Sequence, residues 1–330
     1  MRYGIIPGTD LNAAVVVMGT AGFGGGMTEA EAFRLFDLYV EQGGNFFDTA
    51  LVYDDWLNRG RSLTEIRLGK WLKARGNRKR LVLATKGGHP ELTSMHIGRL
   101  GREDLIADVD RSLSQLGTDV IDLYWLHRDD PAAPVAGIME TLDELVRSGK
   151  VRSIGCSNWT VARIREAQAY AEANGLTKFA ASQPLWNMAM VNHGSIRDTT
   201  LVVMNEADKT YYERAGMAVI PFSSQANGFF GGRYARGREA GRQGSADAVE
   251  RQYFSEGNFD RLERAQRLAA ELGTTGSAIA LAYLTSQPFP VFPIVGATKP
   301  DYVIDCCAAG DITLTPAQIR YLETGEAGER

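Results

Sequence analysis

Apolar and polar positions follow two rhythms along this chain, and the rhythms take turns. Short runs rich in β-branched residues read as strands. Each is followed by a stretch with apolar residues at helical spacing, often stopped by glycine. The strand-like runs are Ala13–Gly19, Asn45–Asp48, Arg80–Gly88, Asp119–His127, Val151–Asn158, Lys178–Pro184, Met217–Ser224 and Pro290–Thr298. Among the helical stretches, Glu29–Gly44 sets Phe33, Phe36, Leu38 and Val40 on a helical repeat, and Leu63–Gly76 and Leu105–Gly117 also end in glycine. Further helical patterns begin at Gly137, Val161, Lys209, Phe259, Gly276 and Pro300.

Strand–helix units in series predict a parallel sheet, because parallel neighbours need a crossover between them. Eight such units in 330 residues predict an α/β fold, a single-domain (β/α)8 TIM barrel spanning 1–330. A doubly wound open sheet is the competitor, and it calls for a glycine-rich phosphate turn after the first strand. The stretch GTAGFGGGM is glycine-rich there, but Met27 interrupts the G-x-G-x-x-G spacing, so it reads as a flexible loop. One segment breaks the rhythm. Gly231–Asn258 is polar and rich in Gly, Arg and Ser, and it predicts a long loop after strand seven. Such loops are active-site excursions or plain solvated surface.

Charge and composition narrow the partners. A net charge of −4 gives no basic face for nucleic acid. No apolar run reaches the roughly 18–20 residues a membrane helix needs, and the start has no signal-peptide core. Three cysteines, two of them adjacent (Cys306 and Cys307), build no disulfide framework and fit a reducing, cytoplasmic setting. The four histidines lack zinc-like spacing, so no metal is expected, and His89 and His96 read as loop histidines. The expected partner is a small molecule; a homo-oligomer is compatible with the sequence.

The chemistry gathers at strand ends, which form the catalytic face of a barrel. Strand two ends in Asp48, strand three in Lys86 and strand four in His127, with Tyr53 in the loop after strand two. Alternation puts Phe46 with Asp48, Val82 and Ala84 with Lys86, and Leu123 and Trp125 with His127, so all three faces can point inward. Each residue alone has an ordinary reading, as a turn residue, a solvated end or loop packing. Together they suit one task. Tyrosine is a poor acid at neutral pH. A lysine cation beside it lowers its pKa, an aspartate holds the lysine, and a histidine orients a carbonyl oxygen. That set protonates an oxygen that gains charge as hydride reaches its carbon.

GGNFFDTALVY, ATKGG, IDLYWLH, GKVRSIGCSNW and PIVGAT, in this order, resemble the aldo-keto reductase superfamily over nearly the whole chain. The resemblance implies a barrel binding NADPH or NADH, with Tyr53 as general acid, Lys86 and Asp48 as its tuning pair and His127 orienting the carbonyl. It implies Ser157, Asn158 and Gln183 at the nicotinamide carboxamide and Phe222 stacked on its ring. Gly19 and Thr20 would line the ribose, and Ser223, Gln225 and Gly228 would approach the pyrophosphate. The adenosine end would lie on Gly296, Thr298, Lys299, Tyr302 and Asp305. NADPH is expected over NADH. Two departures stand out. Tyr302 takes the place of an arginine that often grips the 2′-phosphate, leaving Lys299 or Thr298 to serve it; and the link from Tyr53 to the next helix is long.

Trp56, Trp125 and His127 are the expected substrate contacts, because indole faces stack on sugar or aromatic rings. Asp54, Asp55, Asp129 and Asp130 are candidate partners for substrate hydroxyls, which points to a sugar-derived carbonyl. A nicotinamide-dependent carbonyl reductase or alcohol dehydrogenase is thus the expected function. A nucleotide-sensing subunit resembling potassium-channel β subunits, and a redox-free barrel hydrolase or isomerase, are the alternatives.

Overall fold

In the computed structural model, which describes residues 1–237 and 245–326, the chain opens with a short antiparallel hairpin, β1 (Tyr3–Ile5) and β2 (Asn12–Ala14). Eight parallel strands follow: β3 (Val17–Gly19), β4 (Phe46–Asp48), β5 (Val82–Gly87), β6 (Ile121–Leu126), β7 (Val151–Ser157), β8 (Phe179–Gln183), β9 (Ala218–Val219) and β10 (Ile294–Val295). They pair in chain order from β3 to β9, with β10 beside β3. The ends meet. Val219 of β9 bridges Val291, its N–H donates to the Pro290 carbonyl at 2.9 Å, and the Phe292 N–H donates back to Val219 at 2.9 Å. The sheet closes into the expected barrel.

Helices α1 (Glu29–Glu41), α2 (Leu63–Arg75), α3 (Arg102–Leu116), α4 (Val135–Arg147), α5 (Val161–Asn174) and α6 (Glu206–Ala215) connect the strands up to β9. After β9 come α7 (Ser245–Tyr253), α8 (Glu256–Leu272) and α9 (Gly276–Thr285), and after β10 come α10 (Pro300–Ala309) and α11 (Pro316–Thr324). Among these residues no helix is long and apolar enough to cross a membrane.

Three expectations change. The run Ala13–Gly19 is two strands, since its first residues pair with Tyr3–Ile5 and only Val17–Gly19 joins the barrel. The buried stripe of α1 is Ala32, Leu35, Phe36 and Tyr39; Phe33, Leu38 and Val40 are half-buried, because the helix is rotated to bring Tyr39 inward. The long loop Gly231–Asn258 contains α7, which buries Val249 and Tyr253, and the start of α8; residues 238–244 of it lie outside the described residues.

The turn before β4 shows how local sequence fixes the sheet. Gly43 adopts φ +84°. A Cβ on Gly44 would lie 2.2 Å from the Tyr39 ring, so only glycine lets the helix end fold back against it. The Tyr39 hydroxyl then donates to the Val16 carbonyl at 2.8 Å and accepts from the Phe46 N–H at 3.2 Å, joining the ends of β3 and β4. Inside the barrel, Trp125 fills the lumen. A Cβ on Gly155 would come within 2.4 Å of its indole, so β7 is kept small where β6 is large.

Glu65 of α2 is fully buried against β5 and α3 and accepts from the Thr85 hydroxyl at 2.5 Å. Burial pushes its carboxyl up from an ordinary 4.5 to about 7. A carboxyl raised on folding contributes stability that is complete below the ordinary value and is lost as pH rises through about 7. Glu65→Gln should therefore gain on the wild type by on the order of 2–3 kcal/mol between pH 5 and pH 8. Urea unfolding at the two pH values measures this, and an equal wild-type-to-variant difference at both would contradict it.

Candidate active site

Register brings the three strand ends together. Asp48 of β4 pairs with Ala84 of β5, and Lys86 of β5 pairs with Trp125 of β6. Past β4 the chain keeps bonding to β5: the Thr49 N–H donates to Ala84 and the Leu51 N–H to Lys86, at 2.9 and 3.0 Å. This carries Tyr53 over the end of β5. The Lys86 ammonium donates to Asp48 Oδ2, to the Thr49 carbonyl at 2.9 Å and to the Tyr53 hydroxyl at 2.9 Å. Three protons meet three acceptors, which is what a fully buried ammonium requires. Burial alone would push Lys86 down, but Asp48 and Tyr53 more than offset it, and its pKa is raised. Asp48 Oδ1 accepts from the Gln183 amide across the barrel at 3.1 Å.

Lys86 does not lower the Tyr53 pKa below its ordinary value, as the sequence suggested. Burial raises it, Lys86 is the largest opposing influence, and the net direction is upward. The phenol is therefore in its protonated form at neutral pH. His127 follows β6, its ring 5.8 Å from that of Tyr53. Burial, then the charge of Arg128, holds it well below its ordinary pKa, so it is neutral. Among the described residues its buried Nδ1 has no partner. An unpaired lone pair costs less there than an unpaired N–H, so the proton belongs on Nε2 and His127 is a donor.

Tyr53 and His127 line a cavity of about 1470 Å³. That exceeds the roughly 300–1,000 Å³ that suits one small ligand. Gly19, Thr20, Ser157, Asn158, Gln183, Phe222, Ser223, Gln225, Gly228, Gly296, Thr298, Tyr302 and Asp305 all belong to its lining. Ser157 and Asn158 are partly engaged already. The Ser157 hydroxyl donates to the Gln183 carbonyl at 2.9 Å, and the Asn158 amide donates to the His127 carbonyl at 3.3 Å. The loop after β9 is strained: Ser223, Ala226 and Asn227 all hold positive φ, at 52°, 49° and 53°. Clustered left-handed non-glycine residues are characteristic of ligand clamps. Ser224 ties this loop to β10 through the Ile294 carbonyl at 2.5 Å.

Several expectations do not survive. Trp125 is fully buried in the barrel lumen, outside the cavity lining, and offers a substrate no surface. Trp56 does line the cavity and is half exposed. Lys299 is exposed beside the cavity, with its ammonium 5.5 Å from the Tyr302 ring centroid. The four loop aspartates are structural. Asp54 is fully buried and accepts the N–H groups of Gly22, Gly24 and Gly25 at 2.7–2.9 Å, Asp55 accepts from the Ser62 N–H, and Asp129 pairs with Arg163. Asp130 accepts from the Ala132 N–H at 3.1 Å. None of the four lines the cavity.

Other residues were missed. His89, Arg128, Asp198, Arg233 and Tyr234 all line the cavity. His89 and Arg128 follow directly on the KGG and LH motifs, a signal that could have found them. Asp198 comes from the long loop after β8, where no pattern marks it. Among the described residues no group of acidic, histidine and cysteine side chains forms a metal site.

The Aldo/keto reductase family model matches residues 15–326. An uncharacterized oxidoreductase, YrpG, of Bacillus subtilis is 30% identical over 100% of this chain and 98% of its own. Norsolorinic acid reductase B of Aspergillus parasiticus is 30% identical over 96% of this chain and 82% of its own. The aryl-alcohol dehydrogenase [NADP(+)] of Phanerodontia chrysosporium is 29% identical over 96% and 84%. The crystal structure of a thermostable aldo-keto reductase, Tm1743, superposes with a TM-score of 0.73 at 21% identity, covering 98% of this chain and 99% of that one.

Asp54 joins the loop after β3 to the loop that carries Tyr53. Asp54→Ala would leave three backbone donors short of an acceptor and should cost roughly 2–4 kcal/mol. A lowered urea midpoint with unchanged slope is the expected result; an unmoved midpoint would show that the two loops hold independently.

Proposed function

This chain belongs to the aldo/keto reductase family, and from that premise we propose that it interconverts a carbonyl and an alcohol with Tyr53 as the proton donor and acceptor. The observation that carries the assignment is the bond from the buried Lys86 ammonium to the hydroxyl of Tyr53, a residue of the cavity lining, at 2.9 Å. When bound, a reduced nicotinamide dinucleotide supplies hydride to the carbonyl carbon. Tyr53 gives its proton to the carbonyl oxygen, and Lys86 stabilises the phenolate that remains. His127, neutral and protonated on Nε2, hydrogen-bonds the same oxygen and fixes its position. In alcohol oxidation the Tyr53 phenolate takes the proton back.

The cavity fits such a cofactor beside a substrate. Phe222 offers a face to the nicotinamide, with Ser157, Asn158 and Gln183 for its carboxamide and Gly19 and Thr20 for its ribose. Ser223, Gln225, Gly228, Gly296 and Thr298 would hold the phosphates, and Tyr302 and Asp305 the adenosine. NADPH over NADH is the proposed preference. It is supported by the relative named as NADP(+)-dependent and by two cations, Arg233 in the lining and Lys299 beside Tyr302. Asp301 and Asp305 at the same end act against it.

Tyr53→Phe removes only the proton donor. It should leave NADPH affinity within about twofold, by fluorescence titration, and lower turnover by roughly 100-fold or more. A variant as active as the wild type would sink the assignment. Tight cofactor binding with no turnover of any carbonyl by the wild type would favour a nucleotide sensor instead. Because the phenol is held protonated, reduction is expected to persist at neutral pH and oxidation to rise as pH climbs through the Tyr53 pKa.

A further inference from the structure

Beyond Tyr53 and His127 the cavity wall carries a pair of opposite charges. Arg128 and Asp198 both line it, 3.3 Å apart between guanidinium Nη2 and carboxylate Oδ2. Arg128 is nearly buried, with its side chain 12% exposed. Its Nε donates to the Thr200 hydroxyl at 2.9 Å and its Nη1 to the His127 carbonyl at 2.9 Å. A guanidinium has five N–H donors. Among the described residues three are used, which leaves two. Asp198 Oδ1 is occupied by the Thr200 N–H and hydroxyl, at 3.0 and 2.5 Å, whereas among the described residues Oδ2 has only the long bond from Arg128. Spare donors thus stand beside a spare acceptor.

His89 adds a second acceptor. Its Nδ1 lies 2.6 Å from the Pro90 carbonyl, which can only accept, so the ring proton is on Nδ1 and Nε2 is left with a lone pair. The ring is 4.7 Å from that of His127. Trp56, in the same cavity lining, is half exposed, its ring 6.1 Å from that of Tyr53.

A hydroxyl both donates and accepts, so two neighbouring hydroxyls match a side-by-side donor and acceptor. An aryl carbonyl without hydroxyls would leave the spare Arg128 donors, Asp198 Oδ2 and His89 Nε2 desolvated with no substrate partner, which a polar site rejects strongly. Arg128 and Asp198 nearly cancel in charge, which suits a neutral molecule over a phosphate or carboxylate. An indole face completes the set, since it packs against the C–H face of a sugar ring.

Resting on the reductase reading above, we propose that the substrate end of the cavity is a polyol subsite for a neutral, sugar-type carbonyl. Arg128 and Asp198 bind a vicinal hydroxyl pair, His89 accepts from a third hydroxyl, and Trp56 is the platform.

The test compares kcat/KM of the NADPH-loaded enzyme for methyl 3-keto-glucoside and for 4-methoxybenzaldehyde, in wild type, Asp198→Asn and His89→Leu. Asp198→Asn is isosteric and lies in a surface loop; circular dichroism verifies both folds. The expected result is wild-type reduction of the ketoglycoside, with each variant losing about tenfold more on it than on the aldehyde, mainly through KM. Wild-type reduction of the aldehyde but not the ketoglycoside would overturn the subsite and leave the reductase standing. Equal losses on both substrates would overturn it too. No turnover of either class would remove the reductase reading and the subsite together.

Discussion

One buried ammonium organises this molecule. Lys86 sits inside the barrel mouth with no access to water, and such a charge is tolerable only when every proton has a partner and a counter-ion stands close. Asp48, the Thr49 carbonyl and the Tyr53 hydroxyl supply those partners. Each comes from β4 or the turn just after it, so the pairing of β4 with β5 and the placing of Tyr53 are a single constraint. Gln183, reaching from β8 to the second oxygen of Asp48, extends it across the barrel to the cavity lining.

The rest of the site is built to keep that cluster still. Trp125 blocks the lumen beneath it, and Gly155 leaves room for the indole. Asp54, the residue after the tyrosine, gathers three glycine N–H groups from the loop after β3. A Cβ on Gly24 would fall within 2.8 Å of Thr64 and of Asp54 itself, so that loop is glycine-rich for close packing rather than for flexibility. Rigid supports of this kind would let a phenol and an imidazole present fixed hydrogen bonds to one oxygen, as the proposed mechanism requires.

The barrel was legible because parallel strands need crossovers, and their alternation with helices survives in apolar spacing. Asp48, Tyr53, Lys86 and His127 were legible because strand ends map onto one face. What escaped did so for identifiable reasons. The repeat read from Phe33, Phe36, Leu38 and Val40 passed over Tyr39, since spacing does not show which residue a helix turns inward. Trp125 shares a face with His127, but alternation says nothing of depth, and it lies one step below the cavity. The aspartates after Tyr53 and His127 look like substrate ligands in sequence, and only the fold reveals their backbone partners. Helix α11 did carry a readable signal, the Thr315–Gln318 capping box, whereas α7 has too few apolar positions to stand out.

The central claim is that Lys86 acts on Tyr53 through charge as well as through position. The most direct test is the pH profile of kcat/KM for alcohol oxidation in wild type and Lys86→Met, with folding checked by circular dichroism. If the ammonium offsets the upward push of burial on the phenol, its loss moves the tyrosine limb of the profile up by about one pH unit or more. A limb that stays in place while the rate falls would mean that Lys86 only positions the hydroxyl, and would contradict the account.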